Sequence, residues 1–217
     1  MAKKKNITQD LLIEWYMDEI LSEQSPPNTV YAFAKKYNFE ESKFYSFFSG
    51  FEHLEKVIFG VFGSKSLELI SADVDFLHGD SRHKTLSFYY TFFELLTANR
   101  SFVELKLKTS SNKLDALKNL SILKEVYTKF ITSLEIQKFD LKNETLNKIQ
   151  NKGYKESAWA QLLFTIQFWL NDTSPNFEKT DLLIEKSIRA AFDLAETTPI
   201  NSVFDFAKFI YKENIKL

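Results

Sequence analysis

The chain of 217 residues contains no cysteine. Disulfides, thiolate zinc sites, iron–sulfur clusters and cysteine nucleophiles are therefore excluded. Glycine and proline are scarce, at 5 and 4 residues. Each costs free energy inside a helix, so their scarcity favours long helices. Arginine is nearly missing too. Of 28 basic residues only Arg82, Arg100 and Arg189 carry guanidinium groups, which leaves little room for bidentate recognition. Neither sign of charge is in excess. A formal net charge of −1 excludes coating of nucleic acid through bulk basicity and leaves only a local patch open. No apolar run reaches the roughly 18 residues of a membrane-spanning helix. The basic start Lys3-Lys4-Lys5 is followed at once by Asp10, Glu14 and Asp18, unlike a secretory signal. The cytoplasm is the expected compartment, and the glycosylation sequons at Asn6, Asn143 and Asn171 read as chance matches.

Aromatic residues are abundant, at 16%, with 22 Phe and 9 Tyr. That many rings imply a large apolar interior or an aromatic-walled cavity. No stretch alternates with period two, so the fold class expected is all-α. Helices are predicted over about 7–23, 29–37, 41–48 and from Phe51 toward 77, the last open to interruption at Gly60 or Gly63. Ile7, Leu11, Trp15 and Leu21 are placed near one face of the first. A buried helix is predicted over about 82–98, and 99–112 reads as polar and irregular. The stripe Leu114, Leu117, Leu120, Leu123, Tyr127, Phe130, Leu134 predicts a further helix. A short helix over 141–151 closed by Gly153, then helices over 155–171, 177–196 and 200–214, complete the chain.

Residues 29–54 read Thr-Val-Tyr-Ala-Phe-Ala-Lys-Lys-Tyr-Asn-Phe-Glu-Glu-Ser-Lys-Phe-Tyr-Ser-Phe-Phe-Ser-Gly-Phe-Glu-His-Leu. A helix-turn-helix needs a cap (Thr29), a small residue where the helices cross (Ala34), a turn (Asn38) and apolar anchors, here Phe39, Phe44, Tyr45 and Phe48. The segment resembles the DNA-binding domain of the TetR family of bacterial regulators. Thr29, Val30, Ala34, Tyr45, Phe48, Glu52 and Leu54 match its pattern without a gap. The resemblance implies a helix-turn-helix domain over 1–50 and a helical ligand-binding and dimerisation domain over 51–217. It also implies an operator duplex as partner, contacted by Thr29, Ser42, Lys43, Tyr45 and Ser46, with Lys3, Lys4 and Lys5 as an arm. Lys43 and Ser46 would face base edges and Tyr45 a phosphate. Departures stand at Asn38 and Ser42, where the family has Gly, at Glu40 for its capping Ser, and at Phe51 for its phosphate-binding Lys. Glu41 takes an often basic position, and seven lysines against nine carboxylates give residues 1–56 a net −2. Phosphate neutralisation drives most DNA affinity, so the segment is poorly charged for that task.

Tyr89, Phe92, Phe93, Tyr127, Phe130, Leu163 and Gln167 are candidates to line a pocket for a hydrophobic effector. By helix order the resemblance places a homodimer interface on 155–171 and 177–196, where Ala190 and Ala191 permit close approach. A second, shorter resemblance lies in Asp172-Thr-Ser-Pro-Asn-Phe-Glu-Lys-Thr180. It is similar to a segment of a TetR-fold lipid-binding family that serves ubiquinone biosynthesis. That family implies an alternative function: a lipid or isoprenoid binder that reads no DNA. Residues 200–214 carry Val203, Phe206, Phe209 and Ile210 on one side, beside Lys208 and Lys212. That side is assigned to the domain or a dimer partner ahead of a membrane surface. A third possibility is an interaction module with neither ligand nor DNA. No catalytic residue, cofactor or metal is expected. His78 and His83 share a loop without the carboxylates a metal needs, His53 is isolated, and no nucleophile–base pair or phosphate-binding glycine loop occurs.

Overall fold

The computed structural model describes residues 6–108, 117–134 and 144–196. Every regular element among them is helical, as expected. In order they are α1 (Gln9–Glu23), α2 (Val30–Lys36), α3 (Glu41–Tyr45), α4 (Phe51–Ser71), α5 (Val74–His78), α6 (Ser81–Ala98), α7 (Arg100–Leu107), α8 (Ser121–Ser133), α9 (Glu144–Asn171) and α10 (Glu178–Glu196). A 3-10 turn, Pro175–Phe177, precedes α10. No helix of the described residues is long and apolar enough to cross a membrane. The chain forms two compact units. One is Met1–Ala72 with Thr91–Ile131, the other Asp73–Tyr90 with Thr132–Leu217.

The first unit is built around aromatic side chains. Phe33 of α2 is fully buried and meets five rings, those of Tyr16, Tyr37, Phe39, Phe44 and Phe51, at 4.9–6.3 Å. Trp15 stacks on Tyr37 at 4.7 Å, closing the cluster against α1. The buried face of α1 is Leu12, Ile13, Tyr16 and Ile20, whereas Leu21, expected near the inner face, is exposed. One polar node accompanies the rings. Glu55 Oε1 accepts from the Tyr16 hydroxyl at 2.5 Å and from Lys106 Nζ at 2.7 Å, and Asn119 Nδ2 donates to Oε2 at 3.4 Å. It joins α1, α4 and α7. Burial first, then the charge and hydrogen bond of Glu55, push the Tyr16 hydroxyl far up, so it stays a proton donor.

Four expectations about elements are corrected. Helix α4 runs unbroken through Gly60 and Gly63, because both are packing notches for α8. A Cβ on Gly60 would stand 2.4 Å from Ile122 Cγ2, and one on Gly63 2.7 Å from Leu123 Cδ1. It stops at Ser71, well before 77, because Asp73 turns extended and caps α5 by accepting from Asp75 N. The stretch 100–107 is helical, not irregular. Phe102 and Val103 are buried, Phe102 against Phe59 at 6.2 Å, and Arg100 pairs with Glu104 at 3.0 Å. Gly153 closes nothing: α9 is one helix from Glu144 to Asn171. The predicted helix over 200–214 lies outside the described residues.

In the second unit Trp159, Leu162, Ile166 and Trp169 of α9 are buried, as are Ile184 and Ile188 of α10. Gln161 Nε2 donates to Ser187 Oγ at 3.2 Å. The turn between the two helices is organised by Asp172, which is buried. Its Oδ1 accepts from Ser174 N and Oγ at 2.9 and 2.7 Å, and its Oδ2 from Thr180 N and Oγ1 at 2.9 and 2.7 Å. Thr180 lies in the first turn of α10, so one carboxylate sits at the helix's positive end and supplies its missing acceptors. The Asp-Thr-Ser-Pro…Thr pattern is thus a helix-capping device. Asn176 and Phe177 both take left-handed φ values, 51° and 59°. The Phe177 ring lies 5.9 Å from Trp169. Burial alone would raise the Asp172 carboxyl, yet the four donors prevail and hold it at about 2, below the ordinary 3.8.

Two predictions follow from this packing. Gly60→Ala lowers unfolding stability by about 1–3 kcal/mol through overpacking, whereas Gly153→Ala, whose Cβ meets nothing within 4 Å, raises it by about 0.5–1 kcal/mol. Urea titrations of both variants check the pair, and equal effects would contradict the assignment of the notches. A carboxyl lowered on folding stabilises the native state above its unfolded value and ceases to do so as pH falls through its native one. Asp172→Ala therefore costs about 1.5–3 kcal/mol at neutral pH, and its deficit relative to wild type shrinks as pH falls from 3.8 toward about 2. Urea midpoints measured across that range decide it.

Candidate functional site

The candidate helix-turn-helix begins at Thr29, whose extended backbone ends the connection after α1 and whose Oγ1 accepts from Ala32 N at 3.1 Å. Val30, Phe33 and Ala34 point inward. The small side chain of Ala34 suits the crossing, where Phe39 N donates to Ala34 O at 3.0 Å. Asn38 makes the turn in the left-handed region at φ 55°, which Asn tolerates. Helix α3 is shorter than the predicted 41–48, and Glu40 makes no side-chain cap bond at its start. Phe44 and Phe48, four residues apart, are buried on one face. At the following corner Ser49 N donates to His53 Nδ1 at 3.2 Å, so His53 fastens the start of α4.

Tyr45 is not an anchor. It is 53% exposed, touches Phe44 only edge-on at 5.7 Å, and its hydroxyl donates to Glu41 Oε1 at 3.1 Å. That hydrogen bond first, then partial burial and the Glu41 charge, raise its pKa. With Phe44 and Phe48 directed inward, helical geometry turns Tyr45 out. Ser42, Lys43 and Ser46 are exposed beside it, and Ser46 Oγ donates to Lys43 O at 2.7 Å. The structure therefore gathers Thr29, Ser42, Lys43, Tyr45 and Ser46 around one short helix pair. Lys3, Lys4 and Lys5 lie outside the described residues.

Two residues absent from the sequence-based set are exposed on the same helix pair. Tyr31 is 62% exposed, and Lys35 is exposed one turn later on α2. Their signal was the inward trio Val30, Phe33 and Ala34, which leaves positions 31 and 35 outward at helical spacing. Lys35 and Lys43 form no ion pair among the described residues, whereas Lys36 turns back to Glu19 and Glu23 of α1, 3.6 Å from each.

The candidate pocket residues divide between the units. Phe92, Phe93, Tyr127 and Phe130 are buried in the first, with the Tyr127 and Phe130 rings 6.5 Å apart. Tyr89 is buried in the second, Leu163 of α9 is half-buried there, and Gln167 stands on an exposed face of α9. That outer face of α9 also carries Phe164, 58% exposed. On α10, Leu182 and Leu194 are exposed, with Ala190 and Ala191 between them. His83 N receives its cap from Asp80 Oδ1 at 2.7 Å, and no group of three or more His, Asp or Glu among the described residues is placed to hold a metal ion.

A family model described as "Tetracyclin repressor-like, C-terminal domain" matches residues 84–210, more than half of the chain. No curated protein matches it.

Proposed function

Since the chain belongs to the TetR family of regulators, we propose that it is a homodimeric, DNA-binding transcriptional repressor of the cytoplasm that responds to a hydrophobic small molecule. Residues 1–50 form its reading head and 51–217 its effector-binding and dimerising part. The observation that carries the reading is that Lys43, Tyr45, Ser42 and Ser46 of and next to α3, and Tyr31 and Lys35 of α2, are exposed on two short helices packed on an aromatic base. Lys43 and Ser46 meet base edges in the major groove, while Tyr45, Thr29 and Lys35 meet phosphates. Lys3, Lys4 and Lys5 follow the backbone as an arm. The Tyr45 hydroxyl must leave Glu41 to reach a phosphate, so Glu41 opposes binding twice, by holding its donor and by its own charge.

In the dimer, the outer faces of α9 and α10 pair around Phe164, Leu182 and Leu194, with Ala190 and Ala191 allowing close approach. Such apolar exposure at a twofold interface is self-complementary. The effector contacts Phe92, Phe93, Tyr127 and Phe130 of the first unit. It weakens operator binding by preferring the dimer state whose reading helices miss the spacing of about 34–36 Å between half-sites. The Asp172 pattern serves as the cap between α9 and α10.

Anisotropy titrations on labelled duplexes from the chain's own upstream region, repeated from low to moderate salt, test the reading. Lys35→Ala weakens binding and lowers the salt slope by about 1, Lys43→Ala weakens binding and relaxes the sequence preference, and Glu41→Gln strengthens binding. The opposite sign for Glu41→Gln, or no binding at low salt, contradicts the assignment. Phe164→Glu shifts the chain from dimer to monomer in sedimentation velocity without loss of helical circular dichroism. An unchanged dimer would remove α9 from the interface.

A further inference from the structure

Helix α5 of the second unit has five residues, and Phe76 is its one buried side chain. Lys84 of α6 lies over that ring, with Nζ 5.9 Å from its centroid. A helix this short does not persist on propensity, and one ring is a small support. Its outer side is apolar. Val74 and Leu77, three residues apart on one face, are 65% and 58% exposed. Val74 is the most exposed large apolar residue among the described ones. Asp73, Asp75 and Asp80 are exposed around the pair, and residues 73–80 contain no lysine or arginine. Apolar residues rimmed by charge mark a contact surface, here one that suits a basic amphipathic segment.

The end of α10 is held beside this surface. Arg82 Nη2, two residues past Asp80, donates to Asp193 Oδ1 at 2.5 Å, and its guanidinium lies 5.9 Å from the centroid of Phe192. Leu77 precedes Arg82 by five residues, so their Cα atoms lie within about 18 Å. Helix α10 ends at Glu196, and residues 197–217 lie outside the described ones. Thr198-Pro199 works against straight continuation of the helix. Beyond it Val203, Phe206, Phe209 and Ile210 share one side of a helical pattern, and Lys208, Lys212 and Lys216 recur at every fourth position beside them. The family match runs to residue 210, so all four apolar residues fall inside the matched domain.

We propose that residues 200–214 turn back from α10 as an amphipathic helix and lay Val203, Phe206, Phe209 and Ile210 across Val74 and Leu77 of the same chain's α5. The three connecting residues span up to about 10 Å, and a 15-residue helix is about 22 Å long. Together they reach α5 from the anchored end of α10. Lys208, Lys212 and Lys216 enter the field of Asp73, Asp75 and Asp80, which holds the strap in place by attraction of opposite charges. The strap covers the apolar pair, supports the short helix beneath it and leaves the outer faces of α9 and α10 to the proposed dimer. It belongs to the second unit and is independent of whether the chain reads DNA.

Hydrogen–deuterium exchange and disulfide trapping on the full chain test the strap. Peptides within 200–214 are expected to exchange slowly, and Leu77→Asp speeds them about tenfold. Phe206→Asp speeds residues 73–79 in return, while 159–170 stays unchanged in both variants. Leu77 is exposed on α5, so its replacement reports on the strap without breaking the core. Because the chain has no cysteine, Leu77→Cys combined with Phe206→Cys or with Phe209→Cys reads the contact directly. Oxidation is expected to give a disulfide within one chain, seen as a faster-migrating monomer without reductant. A disulfide between two chains places the segment on a second copy. Fast exchange in 200–214 that slows only with phosphatidylserine vesicles places it on a membrane surface, and exchange there unaltered by Leu77→Asp places it elsewhere on the domain. Each of these three results would overturn the proposal.

Discussion

The packing of α2 and α3 depends on the fully buried ring of Phe33. Helices α2 and α3 have seven and five residues, far below the length at which an isolated helix holds in water. Neither persists on propensity. Both are held because Phe33 meets rings from α1, the turn, α3 and the start of α4 within 6.3 Å. Edge-to-face pairs of this kind contribute beyond their buried area. Orientation follows from the same packing. With Phe33, Phe44 and Phe48 directed inward, helical geometry leaves Tyr31, Lys35, Lys43 and Tyr45 outside. The support of this surface is mainly apolar packing, which salt screens little, with the ion pairs of Lys36 to Glu19 and Glu23 and of Lys106 to Glu55 beside it.

The polar chemistry around this base pulls in two directions. The Glu55 node ties α1 to α4 and α7 through Tyr16 and Lys106. A half-buried carboxylate with these partners is satisfied and selective about geometry. Glu41 is the opposite case. It lies at the start of α3, engages the Tyr45 hydroxyl and adds negative charge to the proposed DNA-facing surface. The TetR family supplies the architecture, and the acidic residues of this member work against the duplex binding proposed above.

Much of this was legible in the sequence. The breaks at Pro26-Pro27, Asn38 and Gly50 and the spacing of aromatic residues locate the first four helices, because caps and turns act locally. What stayed hidden depends on partners distant in the chain. Gly60 and Gly63 look like breakers until Ile122 and Leu123 stand opposite them. Residues 100–107 look irregular because six of their eight side chains are not buried, and only Phe102 and Val103 declare the helix. Tyr45 was read as an anchor because it sits between two true ones, and one position on a helix is a rotation of about 100°. The Asp172 pattern suggested a lipid-binding relative, while its hydrogen bonds show a cap shared by α9 and α10. The candidate site fared similarly. Lys43, Tyr45 and Ser46 were identified from motif position, whereas Tyr31 and Lys35 required knowing which face of α2 was buried.

Hydrogen–deuterium exchange on the full chain, with and without a saturating duplex from its upstream region, addresses the central assertion most directly. Amides of the Phe33-centred core should exchange slowly in both states, and added duplex should protect peptides covering 29–32 and 41–47. Protection confined to other segments, or fast exchange through residues 33–37 in the free protein, would contradict a rigid aromatic base presenting α2 and α3 to DNA.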